Sequence, residues 1–355
     1  MKTRVLILAF AVAAVIGLSP AAHADGPVTI GTNGGPMWLV RDANISWIRL
    51  GPYWNDINTA PGVFNYTQVD QLLEDCDYWG LKYLFVLSGS PDWCNGGDPV
   101  NAKPCSIDAW KAFVTDLTLH IKNHPKGGVV GAFEIWNEPE SINSETPGVG
   151  WNQDVYAYPR YVDYMAEAAM IIRHNLPGVK VVAGSFTGHD SDLGRLRTIL
   201  SQIENTYYID AYDGQTRNAS DYVDVISGHM NVGNETHSYT AAYLYRRNVL
   251  HVVRDYNPRN QYKEQWITEF GWKSDIGEDS QRKRTKNFLI EMTGGPGRYL
   301  QGWWITHAFI YVTDVAGVTR SIYFPPPAHT PKRIVTYYLK TLPFPAIQQP
   351  GVPLE

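Results

Sequence analysis

Residues 128–140 read GVVGAFEIWNEPE, an almost unbroken apolar run that stops at Asn137, Glu138 and Pro139. A run that is apolar on both faces has the pattern of a strand in a parallel sheet covered on both sides. Pro139 has no N–H to donate and ends its ladder. Working outward, runs of the same kind recur as VTIGTNGG (28–35), ISWIRLG (45–51), LKYLFVLSG (81–89), VKVVAGSF (179–186), VDVISGH (223–229), QWITEFGW (265–272) and HAFIYVTD (307–314). Between them lie amphipathic segments, such as Trp110, Phe113, Val114, Leu117 and Ile121, or Tyr161, Val162, Met165, Ala168, Ala169 and Ile172, each covering one helix face. Eight such strands alternating with helices predict an α/β protein built as a single (β/α)8 TIM barrel, with no stretch left for an accessory domain.

The two ends fall outside this pattern. Met1-Lys2-Thr3-Arg4 is a short basic start, Val5 to Leu18 an apolar core and Ala22-His23-Ala24 a small-x-small cleavage site, which together read as a secretory signal over 1–24. The barrel is expected over 25–345, closed by a helix in TPKRIVTYYLK (330–340), with 346–355 as a Pro-rich tail. The chain carries 30 basic and 35 acidic residues for a net charge of -5, so no basic field exists to hold a nucleic acid. Once the signal is removed no membrane association is expected, and the protein should be secreted, to the extracellular space or a periplasm. Its 44% hydrophobic and 13% aromatic content excludes disordered and fibrous classes.

Cysteine usage agrees with export. Cys94 and Cys105 flank the Gly/Asn/Pro-rich stretch CNGGDPVNAKPC, where a disulfide closing a surface loop would contribute on the order of 3 kcal/mol. Cys76 follows helical spacing with Val69, Leu72, Leu73 and Trp79 and reads as a buried core thiol. There is no HExxH, no CxxC, no GxGxxG after a strand and no GxxxxGK[ST], so no metal or nucleotide cofactor is expected. Four Asn-x-Ser/Thr sequons (Asn44, Asn65, Asn218, Asn234) read as incidental.

Function in a parallel barrel sits at the C-terminal ends of the strands. Glu138 lies where the fourth run stops, and Glu269 ends the seventh run, ITEFGW, 131 residues later. That interval is three βα units, so both side chains can reach one pocket. Two facing carboxyls in an aromatic cleft have a defined use: one protonates a glycosidic oxygen while the other attacks, or activates water at, the anomeric carbon. Either acid alone could instead cap the next helix or pair with a surface Arg.

The combined text is more specific. WIRLGPYW (47–54), PGVFNYTQVD (61–70), SPDWC (90–94), the Asn-Glu-Pro at 137–139 and Glu269 stand in the order and spacing of their counterparts in retaining glycoside hydrolases of clan A. The chain resembles that clan over nearly all of its mature length, most closely family 39, with family 5 as neighbour. The resemblance implies a carbohydrate substrate, Glu138 as acid/base and Glu269 as nucleophile, with carboxyls about 5 Å apart. It further implies Asn137 on the sugar 2-hydroxyl, Arg49 orienting the nucleophile from below and His229 at the end of strand six. Trp54 and Trp93, at strand ends, are expected to stack on substrate, and an aromatic platform is expected at strand eight. Tyr311 fits that platform best, with Trp303 or Trp304 if the strand starts earlier. One departure stands out: the clan usually carries His-x-Tyr at strand six, whereas GHMNVG places Asn231 at the Tyr position.

The expectation is therefore a secreted, retaining, metal-independent glycosidase with no protein partner implied and an open cleft acting within a polysaccharide. A non-catalytic carbohydrate-binding barrel and a transglycosylase using the same pair are the rival readings.

Overall fold

Each of the eight apolar runs forms a strand: Thr29–Asn33, Trp47–Leu50, Lys82–Leu87, Val130–Ile135, Lys180–Phe186, Val225–Met230, Glu264–Phe270 and Ile305–Tyr311. All pair in parallel in sequence order, and the first pairs with the eighth to close the barrel. The computed structural model describes residues 28–95, 106–141, 160–230, 237–272, 276–293, 299–300, 303–311, 314–315 and 318–319. The expected signal segment, the closing helix, the tail, Cys105, Asn231 and Asn234 lie outside the described residues.

Two apolar cores hold the barrel. Inside it, Trp47, Leu84, Ala132, Val182, Val225, Trp266 and Phe309 pack together, one side chain from every strand but the first. The first strand contributes Gly31, because Phe309 already fills that space: a Cβ on Gly31 would sit 2.3 Å from the Phe309 ring. His307 packs edge-on to Trp47 with ring centroids 5.0 Å apart. Burial pushes its pKa down to about 3, so it packs as a neutral ring. This plug seals the interior and leaves the C-terminal mouth as the place for polar chemistry.

The second, larger core lies between the sheet and the surrounding helices. Helix Ile107–Asn123 starts at Ser106, whose side chain accepts from the Ala109 N–H, and it buries Trp110, Phe113, Val114, Leu117 and Ile121 as its spacing requires. Tyr161–Asn175 buries its apolar face in the same way. Helix Thr67–Trp79 ends at Gly80 in the left-handed conformation, φ 64°, and places Cys76 in the core as a free, fully buried thiol. Leu193–Asn205 follows strand five, and Glu278–Thr293 follows strand seven. Among the described residues no helix is long and apolar enough to cross a membrane.

Candidate active site

Arg49, near the end of strand two, is the centre of the polar layer above the plug, and it is only 6% exposed. Its Nε donates to Glu134 Oε2 at 2.5 Å, Nη1 to Asn33 Oδ1 at 3.0 Å and Glu269 Oε1 at 2.8 Å, and Nη2 to Asn137 Oδ1 at 2.8 Å and Ser185 Oγ at 3.3 Å. The five N–H groups of the guanidinium thus reach side chains from strands one, four, five and seven and from the turn after strand four. Burial works against its charge, but Glu134 and Glu269 outweigh burial and raise its pKa above the ordinary arginine value. Glu134 is fully buried, and its other oxygen accepts from Ser227 Oγ at 2.7 Å.

The two sequence-identified acids come to this layer from opposite sides. Glu269 sits on strand seven, 13% exposed, with Oε1 held by Arg49. Glu138 is 27% exposed and lies just past strand four, where the backbone turns sharply: Trp136 has φ 70° and Glu138 φ 50°. Left-handed backbone at non-glycine residues costs of order 1–3 kcal/mol each and persists only where the surroundings enforce it.

His229, buried at the end of strand six, stands between the acids. Its Nδ1 is 2.8 Å from Glu138 Oε1, and its Nε2 is 3.6 Å from Glu269 Oε1. A register shift between Gly228 and His229 pairs His229 directly with Glu269 across the sheet. Burial favours the neutral ring, but the charge of Glu269 and the hydrogen bond and charge of Glu138 raise its pKa above 6.5, with Arg49 opposing. Asn137 spends its carbonyl oxygen on Arg49, which leaves the amide N–H groups as the ones it can offer a ligand.

The structure thus brings Arg49, Asn137, Glu138, His229 and Glu269 together. Tyr311 lies at the C-terminal end of strand eight, opposite Asn33 in register. Trp303 and Trp304 precede that strand, at the far end of the barrel, because the strand begins at Ile305. Trp93 is 36% exposed beyond strand three, and its Nε1 donates to the Asn58 carbonyl at 2.9 Å. Trp54 corrects the expectation. It is fully buried, stacked on Phe113 at 5.1 Å and edge-on to Trp110 at 5.5 Å, because the helical turn Trp54–Ile57 folds its ring back under the helices. It is a core residue and cannot touch a sugar.

Sequence reasoning missed Asn33, Glu134, Ser185 and Ser227, which build the Arg49 cage. Glu134 carried a usable signal: a lone acid inside a buried apolar strand must find a cation. Among the described residues no group of three His, Cys, Asp or Glu side chains is placed to hold a metal ion.

No family model matches the sequence, and no curated protein is similar to it. Solved structures are similar in fold. A family 39 glycoside hydrolase from Bacteroides cellulosilyticus WH2 superposes with a TM-score of 0.59 at 14% identity, over 88% of this chain and 63% of that one. An exo-beta-1,4-mannosidase from Opitutaceae bacterium strain TAV5 gives 0.60 at 12% identity, over 88% and 58%. Xylanase 10B from Thermotoga maritima gives 0.56 at 12% identity, over 88% and 94%. The chain therefore spans about three fifths of the first two and nearly all of the third. What the likeness establishes is the closed (β/α)8 barrel, of the form these glycoside hydrolases share.

Proposed function

We propose that the protein is a retaining glycoside hydrolase in which Glu138 is the acid/base and Glu269 the nucleophile. One observation carries the reading: two glutamates from strands four and seven converge on His229 at the mouth of the barrel, and Arg49 fixes one of them. That the fold neighbours include a family 39 glycoside hydrolase, a mannosidase and a xylanase supports it.

The proposed route is double displacement. With Oε1 held by Arg49, Glu269 presents Oε2 to the anomeric carbon, and the guanidinium keeps the attacking group aimed. Glu138 gives its proton to the departing oxygen as the glycosyl-Glu269 bond forms. It then takes a proton from the water that opens that bond. The Asn137 amide can donate to the sugar 2-hydroxyl, a contact that strengthens in the oxocarbenium-like transition state. Export through the 1–24 signal and a Cys94–Cys105 disulfide belong to the same proposal, as does an open cleft on a polysaccharide.

The test is a panel of polysaccharides and aryl glycosides read by product mass, comparing wild type with Glu269→Gln. Cleavage that depends on Glu269, with retention of anomeric configuration, is expected. Products longer than the substrate would make the enzyme a transglycosylase. Binding without cleavage by wild type would replace the proposal with a carbohydrate-binding barrel.

A further inference from the structure

Two residues beyond Glu138 lies a second acid with no place in the mechanism above. Glu140 is fully buried. Its Oε1 accepts from the Thr187 N–H at 2.5 Å and lies 3.2 Å from Thr187 Oγ1, while Oε2 has no hydrogen-bond partner among the described residues. Among the described residues no cation pairs with its carboxyl, and Arg195 on helix Leu193–Asn205 gives its Nε to the Glu140 main-chain carbonyl at 2.5 Å and its Nη2 to Asp192.

Proton counting identifies the odd group. The Thr187 hydroxyl has a single proton and stands 3.2 Å from Glu140 Oε1 and 3.1 Å from Asp192 Oδ2, while accepting from the His189 N–H. Serving both acids requires that one of them bring its own proton. Asp192 has the Arg195 guanidinium beside it, whereas the Glu140 carboxyl meets only the Thr187 hydroxyl and main-chain N–H groups. The acid that carries the extra proton is therefore Glu140.

The charged and titratable groups around Glu140 agree. Glu138 on the same turn and Asp192 in the loop after strand five are carboxyls, Arg195 is engaged by Asp192, and Tyr161 from helix Tyr161–Asn175 spends its hydroxyl proton on the Ile135 carbonyl. Burial pushes the Glu140 carboxyl up to about 8, with the charges of Glu138 and Asp192 adding and the main-chain hydrogen bonds opposing.

This cluster is anchored on strand five and the helix that follows, and it grips the turn whose first residue is Glu138, in left-handed backbone at φ 50° and closed by the Ser141 N–H to Glu138 carbonyl bond at 3.1 Å. Resting on the reading of Glu138 as acid/base, we propose that Glu140, as a neutral carboxylic acid tied to Thr187, Asp192 and Arg195, is the positioning residue that holds Glu138 at the leaving-group oxygen.

Two measurements test it, one without any substrate. A group with a raised folded-state pKa stabilises fully below its unfolded value, about 4.5, and that stability is lost as pH rises through about 8. Urea unfolding of wild type and Glu140→Gln across pH 4–9 should therefore show wild type losing stability relative to the variant through that window and level above it. A difference that stays flat from pH 5 to 9 would overturn the neutral acid.

The second is kinetic. Glu140→Ala should lower kcat at least about tenfold on an unactivated oligosaccharide of the panel, with KM changed less than about threefold, yet stay within about threefold of wild type on an activated aryl glycoside. Glu140→Gln, which keeps a neutral acceptor on Thr187, should restore the slow substrate. Equal losses on both substrates, or a Gln variant as impaired as Ala, would overturn the positioning role. Absence of any wild-type cleavage would remove the acid/base reading and the positioning role together, while the unfolding measurement would still decide the state of Glu140.

Discussion

His229 Nδ1 lies 2.8 Å from Glu138 Oε1, although the ring is 1% exposed. Burial favours the neutral ring, but the charge of Glu269 and the hydrogen bond to Glu138 raise its pKa above the ordinary histidine value. The folded-state pKa is raised, so the stabilisation is complete below 6.5 and is lost as pH rises through the raised value. Stability profiles of wild type and His229→Gln should diverge in that direction, and the variant should lose on the order of 10²-fold in kcat, measured with an aryl glycoside.

Arg49 and Glu134 form a buried pair, 6% and 0% exposed. Removing one partner leaves the other charged and desolvated, which costs about 3–5 kcal/mol. Arg49→Met should show that loss in chemical unfolding. Arg49→Met with Glu134→Gln should recover part of the stability but none of the activity, because Glu269 loses its anchor in both.

Glu138→Gln separates acid catalysis from binding. The amide has no proton to give, so substrates with poor leaving groups should slow by about 10²–10⁴-fold, while activated aryl glycosides lose far less in the first step. Equal slowing on both, read from kcat/KM across a leaving-group series, would remove Glu138 as the acid.

The strands and the two glutamates at the barrel mouth were legible for one reason. A parallel strand covered on both faces is mostly apolar, so Glu138 and Glu269, at the points where such runs stop, mark the mouth of the barrel from the sequence alone. The Arg49 cage was not legible, because Asn33, Ser185 and Ser227 are ordinary polar residues whose meeting depends on barrel closure. Ser185, at φ 54° after Gly184 at φ 112°, reaches Arg49 only through a local irregularity of strand five. Trp54 was misread for the same kind of reason: position after a strand places a residue at the mouth, but the direction of its ring is set by Trp110 and Phe113, about 60 residues away.

Trp54 and Trp93 should accordingly part company on mutation. Trp54→Ala empties a site enclosed by Trp110 and Phe113 and should cost about 3–5 kcal/mol of stability. Trp93, 36% exposed, should tolerate Ala with a small stability change. If it stacks on substrate, its loss should raise KM more than it lowers kcat, as read by steady-state kinetics on an oligosaccharide.

Gly31 should tolerate no side chain. An added Cβ would lie 2.3 Å from one Phe309 ring atom and 2.4 Å from the next, and the ring cannot retreat, since Trp47 and Trp266 pack on it with centroids 6.5 Å and 6.0 Å away. Gly31→Ala should therefore destabilise by about 1–3 kcal/mol, the ordinary cost of overpacking. Gly31→Ala with Phe309→Leu should regain much of it, because the smaller side chain frees the space above Gly31. Asn33, two residues on, donates to the Thr268 carbonyl at 3.0 Å and accepts from Arg49. A shift of strand one would reach Glu269 through these bonds, so the single variant should lose activity as well as stability and the double variant should recover both.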